Sequence, residues 1–299
     1  MWTTRRLAGP FGMEVVGADL GQEIDRPAMK ALLDLLYEHH VLVIRGQSLD
    51  KPAYSRFGHQ WGRPIDFFKQ AHLDPDYPEL IRISNSPDVP ERQHNGAAFW
   101  HTDGSYEYVP ASVTMLYALE APDVGGETMF IDTAAAYDAL PAETRARIDG
   151  LQVRHMIVGG KRMEGETPLR PFEADVRHKQ ETEKPVHPLV LTHPVTGRKA
   201  LYAVSGTCNG IVGMPDDEAE ALLASLKQHA VQERFRLTCK ACRDDVLIWD
   251  NLATMHSATP TVYTGEAGKR RALLRFSTRG LPPLYADRPA PFTPPAAVQ

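Results

Sequence analysis

From Val113 onward the chain keeps returning to short runs of three to nine apolar or alternating residues, bounded by Gly, Pro, Asp or Asn. That is the length and punctuation of β-strands rather than of helices. The runs are Val113 to Leu119, Thr128 to Ile131, Leu151 to Val158, Leu189 to Leu191, Lys199 to Val204, Arg234 to Thr238, Val246 to Trp249 and Arg270 to Thr278. Helical signals are few. Asp25 and Pro27 introduce Ala31 to Tyr37, and Asp50-Lys51-Pro52 open a short helix that Gly62 closes. Asp132 stands as N-cap before Thr133 to Leu140. Pro215 and Asp216-Asp217-Glu218 start a helix through His229, with acidic groups at its positive end. Val41 to Ile44 is wholly apolar and reads as a buried strand. Many strands, few helices and no βαβ rhythm predict a mainly β fold with peripheral helices (α+β), a sandwich or jelly roll.

The 299 residues are read as one domain, 1–299, ending in a Pro-rich tail from 282. Gly159 to Pro185 is polar, charged and without periodicity, and reads equally as a cover over a site, 159–185, or as a plain surface excursion. A net charge of -5 gives no expectation of nucleic acid or an anionic membrane as partner. No window approaches the roughly 18 apolar residues of a membrane span. Three cysteines suit a reducing cytoplasm, and no apolar signal core follows Arg5-Arg6, so a cytoplasmic location is expected. Cys239 and Cys242 spell C-x-x-C without a second pair, and are read as structural or incidental.

Two segments offer metal-binding chemistry. In extended chain, His101 and Asp103 point to the same side and could reach one ion together. Among 12 histidines such a pair also arises by chance. His256 follows the Trp249-Asp250-Asn251 turn and, taken alone, reads as well as a hydrogen-bonded core histidine. Two histidines and a carboxylate on one face suit non-haem iron(II). In the last strand, Ala272, Leu274 and Phe276 share one face, and Arg271, Leu273, Arg275 and Ser277 share the other. The two arginines then lie roughly 13 Å apart, either facing water or lining a cavity where guanidinium groups clamp carboxylates.

Seven segments in order bring these pieces together: Gly17-Ala18-Asp19-Leu20, Val41 to Gly46, Trp100-His101-Thr102-Asp103, Gly125-Gly126-Glu127-Thr128, His187-Pro188-Leu189-Val190, Trp249-Asp250-Asn251 with His256, and Arg271 with Arg275. From about Leu7 to Arg279 the chain resembles the taurine and aryloxyalkanoate dioxygenase family of 2-oxoglutarate-dependent enzymes. The resemblance implies a double-stranded β-helix (jelly-roll) core, Fe(2+) as cofactor, and 2-oxoglutarate and O2 as cosubstrates. It implies His101, Asp103 and His256 as iron ligands. Thr128 and Arg271 match the pair that holds the far carboxylate of 2-oxoglutarate, and Arg275 the position facing the acidic group of the substrate. The two arginines could exchange these roles.

The reaction so implied decarboxylates 2-oxoglutarate to succinate and CO2 and hydroxylates a substrate, sometimes with cleavage or desaturation to follow. Radical halogenases of the wider superfamily lack the carboxylate ligand, so Asp103 favours hydroxylation. The expected substrate is a small anion: a carboxylate, aryloxyalkanoate, sulfonate, sulfate ester or phosphonate. Ala97-Ala98-Phe99 stands where sulfonate-using members carry a polar side chain, so taurine itself is not expected. Phe67, Phe68 and Phe99 read either as an apolar wall for the substrate body or as core. Expected partners are the small molecule and a second copy in a homo-oligomer. The competing readings are a non-catalytic jelly-roll binding protein and a different metal enzyme on the same fold.

Overall fold

A computed structural model describes residues 2–67, 70–89, 91, 94–157, 163, 185–202 and 204–292. Phe68 and most of the 159–185 segment lie outside them. In chain order the strands are β1 (Thr3–Arg6), β2 (Met13–Val16), β3 (Val41–Ile44), β4 (Arg63–Pro64), β5 (Ile81–Ser84), β6 (Ala111–Glu120), β7 (Thr128–Asp132) and β8 (Gln152–His155). There follow β9 (Val186–Pro188), β10 (Val190–Thr192), β11 (Lys199–Leu201), β12 (Cys208–Ile211), β13 (Arg236–Cys239), β14 (Val246–Asp250), β15 (Thr254–Ala258) and β16 (Ala272–Arg279).

The main helices are α1 (Arg26–His39), α2 (Lys51–Trp61), α3 (Thr133–Asp138), α4 (Ala142–Ile148) and α5 (Asp216–Ala230). The caps read from the sequence are in place: Asp25, Asp50 and Asp132 accept from the backbone N–H groups of Ala28, Ala53 and Ala135. α1 starts five residues before the expected Ala31, because Pro27 occupies its first turn. α4 was not expected; Pro141 precedes it, and its only fully buried residue is Ile148, so it carries almost no apolar stripe to read.

Eight strands form a mixed sheet in the order β1-β2-β3-β14-β6-β16-β4, with β5 also on β16. Three more form the sheet β13-β7-β15. The expectation of no βαβ unit fails at one place: β2 and β3 pair in parallel with α1 between them. One short polar-flanked strand ahead of α1 was too weak a signal to reveal it.

Strand parity positions everything that follows. On β3, β14, β6 and β16 the residues Leu42, Ile44, Val246, Ile248, Met115, Tyr117, Leu274 and Phe276 pack toward α1 and α2. Their neighbours Val41, Val43, Leu247, Trp249, Leu116, Ala118 and Leu273 face Phe130 of β7 and Leu237 of β13 in a second core. The two sheets therefore share an interior, and Thr114, Arg275 and Ser277 belong to the face turned toward it. Cys239 is buried there, and burial pushes its thiol up to about 12, opposite to a redox-active cysteine. Among the described residues no helix is long and apolar enough to cross a membrane.

Candidate metal centre

His101 and His256 are 155 positions apart in sequence, and one backbone pairing brings them together. The His101 N–H donates to the His256 carbonyl at 2.9 Å, and the His256 N–H returns the bond at 2.8 Å. This is the closely bonded pair of an antiparallel ladder, extending β15 by one bridge. Their rings stand 4.2 Å apart between centroids. Asp103 follows His101 by two residues, as an extended segment requires, and Gly104 at φ 64° turns the chain away. A Cβ at Gly104 would lie 3.2 Å from the Ala111 nitrogen, so the tight turn needs glycine.

Asp103 Oδ1 lies 3.9 Å from His101 Nε2, and Asp103 Oδ2 lies 3.6 Å from His256 Nε2. Two atoms each about 2.1 Å from one ion cannot be more than about 4.2 Å apart, and both distances satisfy that. Among the described residues this is the one group of three such side chains whose donor atoms all lie within 4.8 Å of one another. Protonation fits as well. The His101 Nδ1 donates to the Phe99 carbonyl at 2.7 Å, which leaves Nε2 as the ring nitrogen turned toward Asp103. Burial, with His101 and Arg275 adding to it and Asp103 opposing, lowers His256 to about 3. Burial raises Asp103, but Arg275, His256, His101 and the Thr114 hydroxyl outweigh it and leave it at about 2. At neutral pH the cluster thus presents a neutral imidazole and an ionised carboxylate, the forms a metal needs.

Arg275 extends into the same interior: its Nη2 is 3.1 Å from Asp103 Oδ1, and its Nε donates to Ser277 Oγ at 2.8 Å. The Phe67 ring lies 6.0 Å from its guanidinium, and the Phe99 ring 4.6 Å from that of His101. Of the three phenylalanines considered for a wall, these two border the cluster. Arg271 immediately precedes β16, where it lines a cleft with Thr128, Gly126, Leu116, Leu247 and Leu273. Its Nε donates to the Gly126 carbonyl at 3.2 Å, and burial lowers it to about 10, Glu127 opposing. It is still a cation at neutral pH.

Four residues were not singled out beforehand. Asn85 holds the Arg271 backbone on both sides, accepting from its N–H at 2.7 Å and donating to its carbonyl at 3.1 Å. Thr114 and Ser277 carry hydroxyls into the interior, and Asn251 reaches the Asp103 N–H at 3.3 Å. Asn251 and Ser277 lie inside segments already noted for other residues; nothing in the sequence near Asn85 or Thr114 distinguishes them from ordinary strand-end and strand residues.

Behind the centre, the turn from β14 to β15 is built on buried Asp250. Its Oδ1 accepts from Leu252 N–H at 2.9 Å, and His193 Nε2 is 3.2 Å from its Oδ2. Burial raises this carboxyl, but His193 and His40 overcome that and hold it below the usual range. A depressed carboxylate stabilises the fold above its ordinary pKa of about 4 and loses that contribution as pH falls. Asp250→Asn, which keeps the acceptor but removes the charge, should cost about 2 kcal/mol at pH 7. In urea denaturation the gap between the two proteins should narrow below about pH 4; a gap that widens in acid would contradict this assignment.

Two histidines and one carboxylate between facing sheets, His101 half-buried and the other two buried, with Arg275 on β16 and Arg271 just ahead of it, define a candidate mononuclear metal centre with anion-binding groups. The family model described as taurine catabolism dioxygenase TauD, TfdA family matches residues 3–277, and the chain belongs to that family. It is 31% identical over 259 residues to the alpha-ketoglutarate-dependent 2,4-dichlorophenoxyacetate dioxygenase of Cupriavidus pinatubonensis, covering 82% of this chain and 88% of the relative. It is also 31% identical over 257 residues to the (S)-phenoxypropionate/alpha-ketoglutarate-dioxygenase of Sphingobium herbicidovorans, covering 85% and 88%. Among solved structures, a taurine dioxygenase from Burkholderia xenovorans superposes with a TM-score of 0.74 at 29% identity, over 93% of this chain and 90% of that one. The complex of AAD-2 with Mn(II) and N-oxalylglycine superposes with a TM-score of 0.73 at 27% identity, over 93% and 97%.

Proposed function

We propose that this protein is an Fe(II)- and 2-oxoglutarate-dependent dioxygenase that hydroxylates a small anionic organic substrate, releasing succinate and CO2. The observation that carries the reading is the convergence of His101, Asp103 and His256, with Asp103 ionised and His256 neutral as a metal requires, in the interior shared by two sheets. These three side chains would hold the iron, which when bound supplies the oxygen chemistry that no side chain here can perform. Thr128 and Arg271 bind the far carboxylate of 2-oxoglutarate in the cleft they line. Arg275 faces the acidic group of the substrate, and Phe67 and Phe99 give its body an apolar surface. An aryloxyalkanoate suits this pairing of a cation with rings, and both relatives described above are named for such substrates. A relative named alkylsulfatase, from Acinetobacter baylyi, keeps sulfate esters in the class.

The two sheets form the double-stranded β-helix core of a single domain, 1–299; apart from Met163 and Pro185, the 159–185 segment read as cover or surface excursion lies outside the described residues. Cys208, Cys239 and Cys242 are thiols rather than disulfides, which suits a reducing compartment, and the protein works in the cytoplasm. The function is tested by succinate release from 2-oxoglutarate with Fe(II), across phenoxyacetate, phenoxypropionate, alkyl sulfates, alkyl sulfonates and phosphonates. Release above the substrate-free rate should appear with at least one aryloxyalkanoate. Stimulation by uncharged aryl ethers and by none of the anions would overturn the substrate class.

A further inference from the structure

Thr114 is fully buried on β6, directly across from Ser277 on β16 and Trp249 on β14. Its hydroxyl meets three polar atoms: Asp103 Oδ2 at 2.9 Å, Ser277 Oγ at 3.0 Å and Asn251 Nδ2 at 3.0 Å. A threonine hydroxyl has one proton and two acceptor lone pairs, so the direction of every bond is fixed. The Thr114 proton goes to the Asp103 carboxylate oxygen. The Asn251 amide takes one lone pair, and Ser277 must donate to the other. The Ser277 oxygen in turn accepts from Arg275 Nε at 2.8 Å. Arg275 closes the circuit directly, its Nη2 at 3.1 Å from Asp103 Oδ1. Guanidinium, serine, threonine and carboxylate thus form one closed ring whose two arms both donate from Arg275 toward Asp103, so that each Asp103 oxygen has its own donor. Asn251 ties the ring to the backbone, accepting from the Trp249 indole at 3.1 Å and from the Asp103 N–H at 3.3 Å.

We propose that the Thr114 hydroxyl is a positioning group: it orients the Asp103 carboxylate toward the metal and, through Ser277, couples it to the anion-recognising Arg275. On the same face of β6 the next positions, Leu116 and Ala118, are apolar. A valine would fill the space of Thr114, which separates the hydroxyl's role from packing. The inference rests on Asp103 being a metal ligand, and buried networks in which every donor and acceptor is matched are where one lost group is felt most.

The test is equilibrium binding of Mn(II) to the metal-free full chain, followed by the electron paramagnetic resonance of the unbound ion, without 2-oxoglutarate or turnover. Thr114→Val should weaken binding about 10- to 100-fold, the range for groups that orient metal ligands, and Thr114→Ser should restore most of it. Ser277→Ala should weaken binding less than Thr114→Val. The double variant should be no weaker than Thr114→Val alone, because both act through one link. Wild-type affinity in Thr114→Val would overturn the proposal. So would a Ser variant as weak as the Val variant, or fully additive losses. Where Thr114→Val does not fold, unchanged affinity in Ser277→Ala overturns the coupling by itself. His256→Ala separates the two levels: Mn(II) bound equally well without His256 would sink the metal assignment, and this inference with it.

Discussion

His256→Ala is expected to lower Fe(II) affinity by more than about 100-fold, beyond the range for groups that merely orient a ligand, and to abolish 2-oxoglutarate turnover. The fold should survive. His256 is held neutral by burial, so its removal leaves no unpaired buried charge. Asp103 keeps Arg275 and Thr114 as partners. The backbone pairing with His101 does not depend on the side chain. What is lost is packing against Trp249 and Phe130, whose rings lie 4.7 and 6.1 Å away. Circular dichroism and urea denaturation should therefore show a folded chain with modestly lower stability, while metal binding and turnover disappear together. A folded variant that still binds Fe(II) tightly would remove His256 from the centre.

The second large effect is expected at Arg271. Arg271→Leu should raise the 2-oxoglutarate concentration for half-saturation on the order of 100-fold, the scale of losing a desolvated charge pair. The same change should leave stability unaltered or slightly higher. In the absence of the keto acid this guanidinium is partly buried at an energetic cost, visible in its lowered pKa, and an uncharged leucine relieves it. Loss of function with gain of stability marks a group kept for binding. Arg275→Leu provides the contrast: it should act mainly on the substrate's half-saturation and on metal affinity, since Arg275 touches Asp103. If Arg275→Leu weakened 2-oxoglutarate and Arg271→Leu did not, the two arginines would have exchanged roles.

Much of this site was legible in the sequence because its parts obey local rules. The two-residue spacing of His101 and Asp103 means the same thing in any extended chain. The alternation of Arg271, Leu273, Arg275 and Ser277 set the arginines on one face before any partner was known. What strand pattern alone could not decide was whether that face met water or an interior. The answer depends on Phe130 and Leu237 arriving from a second sheet, which is a long-range fact. His256 was ambiguous for the same reason, its role being set by a bridge to a residue 155 positions away. Thr114 was invisible because a threonine in a strand is ordinary; only the convergence of β6, β14 and β16 makes it a junction. The parallel pairing of β2 and β3 and the short α4 were missed because each is too brief to carry a periodic signal.

Anaerobic titration of the metal-free protein with Fe(II) and then 2-oxoglutarate, followed by visible absorption, tests the central assignment most directly. The expected result is a weak visible band that grows to one equivalent of keto acid per iron, as chelation of 2-oxoglutarate to a three-ligand site requires. It should be absent in His256→Ala and need far more 2-oxoglutarate in Arg271→Leu. Tight Fe(II) binding with no band on adding the keto acid would contradict the dioxygenase assignment and point to a different metal enzyme on this fold. Failure of the wild-type chain to bind Fe(II) at all would contradict the His101, Asp103 and His256 centre itself.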